Sequence, residues 1–210
     1  MKSQSESHNL KMEIIRLRKL LSEQEKEIVA LRLIADYDFL TGLYNRQGFV
    51  REAEKFLNSL KTAHRIRRKH GVFNNISFIF IDLDDLKTVN DLYGHKYGDQ
   101  MIKMSAEVFK SNLRDLDVIG RWGGDEFIIA LIDAEEEDAV KIARKIQSKL
   151  SEIRIKSIKQ KITASFGIIS VKSKYRKDIY NLYELIEKAD MAMYVAKKEN
   201  KKNCVTSFNQ

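Results

Sequence analysis

Two acidic clusters border the apolar segments that could form a sheet. Asp82-Leu83-Asp84-Asp85 ends the most apolar run of the chain, and Gly123-Gly124-Asp125-Glu126 separates two shorter ones. The glycine pair favours a tight hairpin whose backbone an anion can approach closely. If the two segments are neighbours in the sheet, Asp82, Asp125 and Glu126 converge and repel one another. One or two divalent cations would relieve that repulsion and create a site for a triphosphate.

The alternative is that these acids are ordinary helix N-caps and turn residues. Asp84 or Asp85 could cap a helix that begins at Leu86. One acidic cluster alone would favour this interpretation. Two clusters in one chain, with the sequence that follows the first, favour a cation site.

The elements that must position these residues follow from the apolar spacing. Residues 76–81 show no polar–apolar alternation, which predicts a central strand covered on both faces. Helices are predicted at about 46–70, 86–93, 100–113, 139–150 and 182–193, and further strands at 161–171 and 204–208. Strands interleaved with helices around an antiparallel hairpin predict an α+β fold, with a mixed central sheet layered with helices.

The N-terminal segment has a heptad pattern. Its apolar seam alternates steps of four and three through Leu10, Ile14, Leu17, Leu21, Gln24, Ile28, Leu31 and Ala35. β-Branched residues at one core position and leucines at the other favour two parallel helices. Glu13 would face Arg18 of a partner helix, and Glu27 would face Arg32. A single amphipathic helix lying on its own domain would show a similar stripe.

Composition limits the classes of function. The chain has 210 residues, a net charge of +8 and 32% charged residues, which favours a globular protein with an anionic partner. Because no apolar run approaches the ~20 residues of a membrane span and no signal peptide is evident, we expect no membrane span. The single cysteine, Cys204, fits a cytoplasmic location. A nucleic-acid partner is not expected, because no base-reading motif or aromatic–basic surface pattern is present.

Several separated motifs occur in one order along the chain. They are Asp38-x-Leu-Thr-Gly-Leu-x-Asn-Arg46, the Phe80–Asp99 segment, Gly123-Gly124-Asp125-Glu126-Phe127, Ala164-Ser165-Phe166-Gly167 and Ala189-Asp190-x-Ala-Met-Tyr194-x-Ala-Lys197. From residue 38 to about 205 the chain resembles the GGDEF-domain diguanylate cyclases, which condense two GTP molecules into cyclic di-GMP. The resemblance implies a sheet of the nucleotide-cyclase or palm-like type. With the heptad pattern of the N-terminal segment, it divides the chain into a coiled-coil helix for dimerisation and signal input (1–36) and a cyclase domain (37–210).

The resemblance also implies roles for individual residues. Two Mg²⁺ or Mn²⁺ ions per site would be held by Asp82, the Leu83 carbonyl, Asp125 and Glu126. Asp125 and Glu126 would be catalytic, with Asp125 as the suspected general base for attack of a 3′-hydroxyl on the α-phosphorus and release of pyrophosphate. The implied substrate-binding residues are Asn90, His95 and Asp99 on the nucleoside and Lys87 and Lys197 on the triphosphate. Helix capping remains an alternative for Asn90 or Asp99, and a helix C-terminal charge for Lys197.

A second site is implied just before the hairpin. Arg114 and Asp117 match an Arg-x-x-Asp pattern with which relatives bind the cyclic di-GMP product and are inhibited. The chain departs from the family pattern after Lys197, where either Lys201 or Lys202 could be the expected basic residue. None of the implied metal ligands or guanine-binding residues is substituted.

The reaction joins two GTP molecules, so two domains must face each other. A parallel coiled coil would hold them in a homodimer at high effective concentration. Two alternative functions remain. One is a non-catalytic receptor for GTP or cyclic di-GMP, and the other is a basic nucleic-acid-binding domain.

Overall fold

The computed structural model describes residues 2–62, 74–156, 161–172, 181–198 and 202–208. The chain forms two compact units, Met1–Asp36 and Tyr37–Gln210. The C-terminal part of the helix predicted at about 46–70, from residue 63 onward, and Lys201 lie outside the described residues.

The first unit is one helix, α1 (Lys2–Asp36). Large apolar side chains along it are exposed, both on the heptad seam (Ile14, Leu17, Leu21, Ile28, Leu31) and off it (Met12, Ile15, Leu20, Val29, Ile34). In the described parts of the chain, no helix combines the length and apolar character needed to span a membrane.

The second unit is built on a five-stranded mixed sheet. Its strands are β1 (Asn75–Leu83), β2 (Val118–Gly123), β3 (Glu126–Ile132), β4 (Ala164–Lys172) and β5 (Val205–Ser207). They lie in the order β2-β3-β1-β4-β5. The central strand β1 is antiparallel to both β3 and β4, and the short edge strand β5 is parallel to β4. The predicted α+β fold with a mixed central sheet is confirmed.

Helices cover both faces of this sheet. They are α2 (Arg46–Thr62), α3 (Leu86–Tyr93), α4 (His95–Ser111), α5 (Glu136–Glu152) and α6 (Leu182–Lys198). Alternate residues of β1 enter different apolar clusters: Ile79 and Ile81 pack with α3, α4 and α5, whereas Phe78 and Phe80 pack with α2 and α6. The lack of polar–apolar alternation in β1 therefore reflects burial on both faces, as predicted.

Helix α6 approaches the sheet very closely at Gly167 of β4. A Cβ atom at this position would lie 1.9 Å from the carbonyl oxygen of Ala189 and 2.7 Å from the backbone nitrogen of Met193. Only glycine leaves room for this contact. The contact fixes the height of α6 above the strands β1 and β4.

Several predicted boundaries were wrong. Helix α4 begins at His95 rather than near residue 100, because Gly94, at φ 89°, ends α3 and caps α4 with no loop between them. The first turn of α4 has exposed His95 and Lys96 and a single aromatic residue, Tyr97, so no repeating apolar pattern marks it in the sequence. Asp82 lies inside β1 rather than after it, since the strand continues through Leu83 by pairing with Ala164. Strand β4 begins at Ala164, not at residue 161.

Candidate active site

The two acidic segments lie side by side in the sheet. Asp82 of β1 is the registered cross-strand partner of Glu126 of β3. The next residue, Leu83, donates its backbone N–H to the carbonyl of Asp125 at 3.1 Å. Because side chains alternate along strands and directly opposed residues share a face, Asp82 and Glu126 point to the same side of the sheet. Their neighbours two residues away, Phe80 and Ile128, show that this is the side covered by α2 and α6.

The hairpin turn places a third carboxylate beside this pair. Gly123 pairs with Glu126, so Gly124 and Asp125 form a two-residue turn between β2 and β3. Asp125 is half-buried at the tip. The charge of Asp125 contributes to raising the pKa of both Asp82 and Glu126, which places it within electrostatic reach of both.

Burial and mutual repulsion disfavour the ionised forms of this cluster. Burial is the largest cause that raises the pKa of Asp82, and the charges of Asp125 and Asp84 add to it. The pKa of Glu126 is raised first by burial and then by the charges of Asp82, Asp190 and Asp125. The fold therefore brings these carboxylates together in surroundings that favour their neutral, protonated forms.

One ammonium group partly offsets this charge. Lys197, in the last turn of α6, hydrogen-bonds to Asp82 Oδ1, and its Nζ lies 3.5 Å from Asp84 Oδ1. Burial lowers the pKa of Lys197, but the hydrogen bond to Asp82 and the charges of Asp82 and Asp84 outweigh burial and raise it. Lys197 also lowers the pKa of Asp82, although burial of that carboxylate has the larger effect. The helix-end interpretation of Lys197 is therefore incomplete, because its side chain reaches the acidic cluster.

The donor set fits a hard divalent cation. Among the described residues, no three His, Cys, Asp or Glu side chains already form a group that could hold a metal ion. However, Asp82, Asp125 and Glu126 supply carboxylate oxygens within mutual electrostatic range, and a cation would relieve the repulsion that raises the pKa values of Asp82 and Glu126. Lys197 already brings one positive charge to Asp82.

The helix-cap alternative holds for position but not for the role of the side chain, because Asp85 is the N-cap residue of α3. Asp85 occupies the N-cap position in a left-handed conformation, and its side chain makes no capping hydrogen bond. Asp85 Oδ1 instead lies 2.6 Å from Nζ of Lys202. Asp84 is buried and accepts hydrogen bonds from Ser165 Oγ at 3.0 Å and from the backbone N–H of Asn203 at 2.9 Å. Of the two lysines left open by the sequence, Lys202 is the one described, and it lies at this cluster.

The residues expected to bind guanine lie on α3 and α4. A Cβ atom on Gly98 would lie 1.9 Å from Asn90 Oδ1, so the amide of Asn90 packs directly on the α4 backbone beside Asp99. Asn90 Oδ1 is buried and has no hydrogen-bond partner among the described residues. A buried polar atom without a partner is costly, so the Asn90 side chain would gain a hydrogen bond by turning toward a ligand N–H.

Capping does not account for these two residues. Asn90 and Asp99 lie inside helices, and Gly94 is the residue at the shared cap. His95 is the first residue of α4 and Lys87 the second of α3, and both are exposed, as is Asp99. Lys87, His95 and Asp99 are therefore open to a ligand.

The Arg114–Asp117 pair lies in the turn that leads into β2. Asp117 Oδ2 accepts the backbone N–H of Arg114 at 2.9 Å, and its Oδ1 accepts that of Ile132 at 3.1 Å. Both carboxylate oxygens therefore stabilise the turn and the end of β3. Arg114 is exposed.

Two further residues at the site were missed by the sequence analysis. Arg121 donates from Nε and Nη2 to the carbonyl of Gly124 at 3.0 and 2.7 Å, and its Nη1 lies 3.2 Å from Asp38 Oδ2. Asp190 of α6 raises the pKa of Glu126, and its own pKa is raised by burial and by the charge of Glu187. The available signal for Asp190 was its spacing of seven from Lys197, which places both on one helix face.

Known proteins resemble this chain over most of its length. The family described as "Diguanylate cyclase, GGDEF domain" matches residues 35–203. The chain is 31% identical over 88% of its length to Diguanylate cyclase DosC of Escherichia coli, and 33% identical over 90% to Cyclic di-GMP phosphodiesterase NbdA of Pseudomonas aeruginosa. It spans only 36% and 22% of the length of these relatives.

A solved structure shares the fold of both units. The coiled coil and GGDEF domain of DgcB from Caulobacter crescentus, in complex with c-di-GMP, has a TM-score of 0.79 and 23% identity, and covers 94% of this chain and 98% of its own. This similarity concerns the fold alone. From the family match over most of its length, together with the acidic hairpin and its neighbouring strand, the chain belongs to the GGDEF-domain diguanylate cyclase family.

Proposed function

We propose that this domain is a working diguanylate cyclase, which condenses two GTP molecules into cyclic di-GMP and releases two molecules of pyrophosphate. The observation that carries the proposal is the registered pairing of Asp82 with Glu126, next to the turn that holds Asp125. This pairing collects acidic oxygens from two distant segments at one end of two neighbouring strands. None of the residues implied to hold metal or guanine is substituted, which supports catalysis over binding alone.

The nucleotide binds with its base at α3 and α4. Asn90 Oδ1 is buried and lacks a partner among the described residues, so turning this side chain toward a guanine N–H breaks no existing hydrogen bond of that oxygen. Asp99 is exposed on the adjacent turn and accepts from the ring N–H and the amino group together. Adenine has no such pair of donors, so this contact selects GTP over ATP.

The triphosphate lies over the end of β1 and the start of α3. Lys197 and Lys202 sit beside Asp82 and Asp85 and neutralise phosphate charge there. Asp82, the Leu83 carbonyl, Asp125 and Glu126 would hold the divalent cations. A bound Mg²⁺ or Mn²⁺ supplies Lewis-acid stabilisation of the phosphoryl oxygens.

Each half-reaction forms one phosphodiester bond. Asp125 accepts the proton of the 3′-hydroxyl of one GTP while that oxygen attacks the α-phosphorus of the other. The bond between the α-phosphorus and the bridging oxygen breaks, and pyrophosphate leaves. A second identical step closes the ring, so two domains must face each other, each with one GTP. The exposed apolar seam of α1 is the surface that would pair two chains.

The decisive experiment is incubation of the chain with GTP and Mg²⁺, followed by mass spectrometry of the nucleotides. The intact chain is expected to form cyclic di-GMP, and Asp125→Ala to form almost none. Glu137→Ala, an exposed acid in the first turn of α5, is the matched control and is expected to retain activity. Equal product from the intact chain and Asp125→Ala would contradict the assignment of Asp125.

A second candidate is a non-catalytic receptor for GTP or cyclic di-GMP. A relative named as a cyclic di-GMP phosphodiesterase matches nearly the whole of this chain, and a protein of the same fold was solved in complex with c-di-GMP. In such a receptor, exposed Arg114 would contact the ligand through its planar guanidinium. The same Arg114 contact, with Asp117, would give product inhibition in a working cyclase. Binding of either nucleotide without turnover would favour the receptor.

A further inference from the structure

Asp84 is a buried carboxylate with a complete set of protein partners. Its side chain has no exposed surface, Oδ1 accepts from Ser165 Oγ, and Oδ2 accepts from the backbone N–H of Asn203. Its own backbone N–H donates to the carbonyl of Thr163 at 2.9 Å. A buried charge persists only when it is paired and hydrogen-bonded, so this residue is committed to these contacts.

The contacts of Asp84 join parts of the chain that are far apart in sequence. Asn203 is 119 residues away and sits in a left-handed conformation, with its carbonyl accepting from Gln147 Nε2 at 2.7 Å. The residue before it is Lys202, which pairs with Asp85. Asp84 therefore fixes the backbone that carries one of the two lysines at the acidic cluster.

Asp84 also contacts the other lysine. Lys197 Nζ is shared between Oδ1 of Asp82 and Oδ1 of Asp84. Asp82 is a proposed cation ligand, whereas Asp84 has no solvent-facing surface and both its oxygens are occupied. A cation and Lys197 compete for Asp82, whereas Asp84 has no exposed surface through which a cation could reach it.

We propose that Asp84 is a positioning residue that holds Lys197 at the triphosphate site while Asp82 turns to the cation. With Asp84 present, Lys197 keeps an anionic partner when it gives up Asp82, so cation binding does not release the lysine. The same carboxylate sets the position of Lys202 through Asn203. This inference rests on the proposed function, because it takes the ligand to be a cation-bound nucleoside triphosphate.

The test is a double-mutant cycle measured by binding rather than by turnover. The probe is a GTP analogue with a methylene group between the α- and β-phosphorus atoms, titrated calorimetrically at several Mg²⁺ concentrations. Asp84→Asn, which keeps the shape and removes the charge, is expected to weaken binding about tenfold and to raise the Mg²⁺ requirement. In a Lys197→Met background the same change is expected to alter binding by less than about twofold.

Each outcome of the cycle decides the question. Non-additive losses support action through Lys197. Equal losses in both backgrounds would show a general electrostatic or folding effect and overturn the proposal, as would unchanged binding by Asp84→Asn. Ser165→Ala, which removes one hydrogen bond to Asp84 and leaves its charge, serves if Asp84→Asn does not fold. It is expected to weaken binding about threefold only when Lys197 is present, and an equal loss in both backgrounds overturns the proposal.

The proposed function is judged separately. A chain that binds the analogue but makes no cyclic di-GMP from GTP contradicts the cyclase, while the role of Asp84 is still decided by the binding cycle. A chain that does not bind the analogue contradicts both.

Discussion

Arg121 joins Asp38 to the acidic hairpin that carries Asp125. Its Nη1 lies 3.2 Å from Asp38 Oδ2, and its Nε and Nη2 both donate to the carbonyl of Gly124. Gly124 directly precedes Asp125, so the direction of that carbonyl fixes the peptide from which the proposed base projects. The guanidinium is mostly buried and uses its planar fork for both contacts.

Replacing Arg121 by lysine is therefore expected to lower turnover more than it lowers stability. A lysine ammonium lacks the planar fork that reaches Asp38 and the Gly124 carbonyl together. Misplacement of a reacting group by about 1 Å costs up to about 100-fold in rate. The measurement is kcat for cyclic di-GMP formation beside the melting temperature. Arg154→Lys, at an exposed arginine that donates to the nearby carbonyls of Ser151 and Ile153, is the control. An unchanged kcat would show that the hairpin holds its shape without this contact.

Glu126→Gln is expected to stabilise the chain and to inactivate it. The raised pKa of Glu126 means that the folded state disfavours its charge, so a neutral residue raises the free energy of unfolding at neutral pH. We expect the melting temperature without metal to rise by about 1–4 °C and cyclic di-GMP formation to be lost. The gain in stability is expected to shrink as the pH falls through the pKa of Glu126, where the wild-type side chain becomes neutral too.

The control for that variant is Glu107→Gln, at an exposed acid on α4. It is expected to change neither the melting temperature nor the product yield. A Glu126→Gln chain that melts below the wild type at neutral pH would contradict the repulsion among Glu126, Asp82 and Asp190.

Mild acid is expected to abolish cation binding while the fold persists. The pKa values of Asp82 and Glu126 lie above their ordinary values of 3.8 and 4.5, so both carboxylates take up protons at a higher pH than they would in the unfolded chain. Protonation removes the charges that hold Mg²⁺ but lowers the repulsion in the folded state, so these two groups do not promote unfolding there. Titration of Mg²⁺ with the methylene analogue, beside circular dichroism at each pH, separates the two effects. Loss of binding only at the pH of unfolding would count against this site.

Asp99 is expected to determine the choice of base. Inosine triphosphate lacks the 2-amino group of GTP, so the wild type is expected to use it about 10- to 100-fold less efficiently, as kcat/KM. Asp99→Ala is expected to lower activity with GTP and to reduce the difference between the two nucleotides to about threefold. Gln100→Ala, at the adjacent exposed position, is the control. An undiminished preference in Asp99→Ala would move guanine recognition elsewhere.

Helix α1 is expected to pair two chains through the face that carries its heptad seam. Leu31→Glu places a charge on the heptad seam, so it is expected to weaken the dimer and to lower turnover at low protein concentration. Val29→Glu is a matched control, because Val29 is equally exposed (57% against 58%) but lies off the seam. Sedimentation velocity and specific activity against concentration provide the readout. Equal effects of the two substitutions would contradict the parallel seam.

The sheet was predictable because its pattern is local. The apolar run that ends at Asp82 and the glycine turn before Asp125 mark a buried strand and a hairpin without knowledge of the rest of the chain. The start of α4 was not predictable in this way, since Gly94 joins two helices and the first turn of α4 has no repeating apolar pattern. A repeating pattern of apolar residues reveals a helix only over the turns that pack against the core.

Contacts between residues far apart in the chain could not be predicted from the sequence. Nothing near Asp84 indicates that its partners are Ser165 and Asn203, or that Arg121 meets Asp38. These pairs are set by the register of β1 with β4 and by the path of the chain after α6. The sequence left Lys201 and Lys202 as equivalent candidates for the expected basic residue. The contact of Asn203 with Asp84 places Lys202 beside Asp85.

The bare Cα of Gly167 acts as a spacer for the end of the domain that carries the acidic cluster. An added methyl group would meet the backbone of α6 at Ala189 and Met193, so the helix would have to lift or slide rather than repack a side chain. Lys197 lies one to two turns further along α6. The same displacement would therefore move its ammonium away from Asp82 and Asp84. The smallest residue in the chain thereby sets how far a distant ammonium can extend.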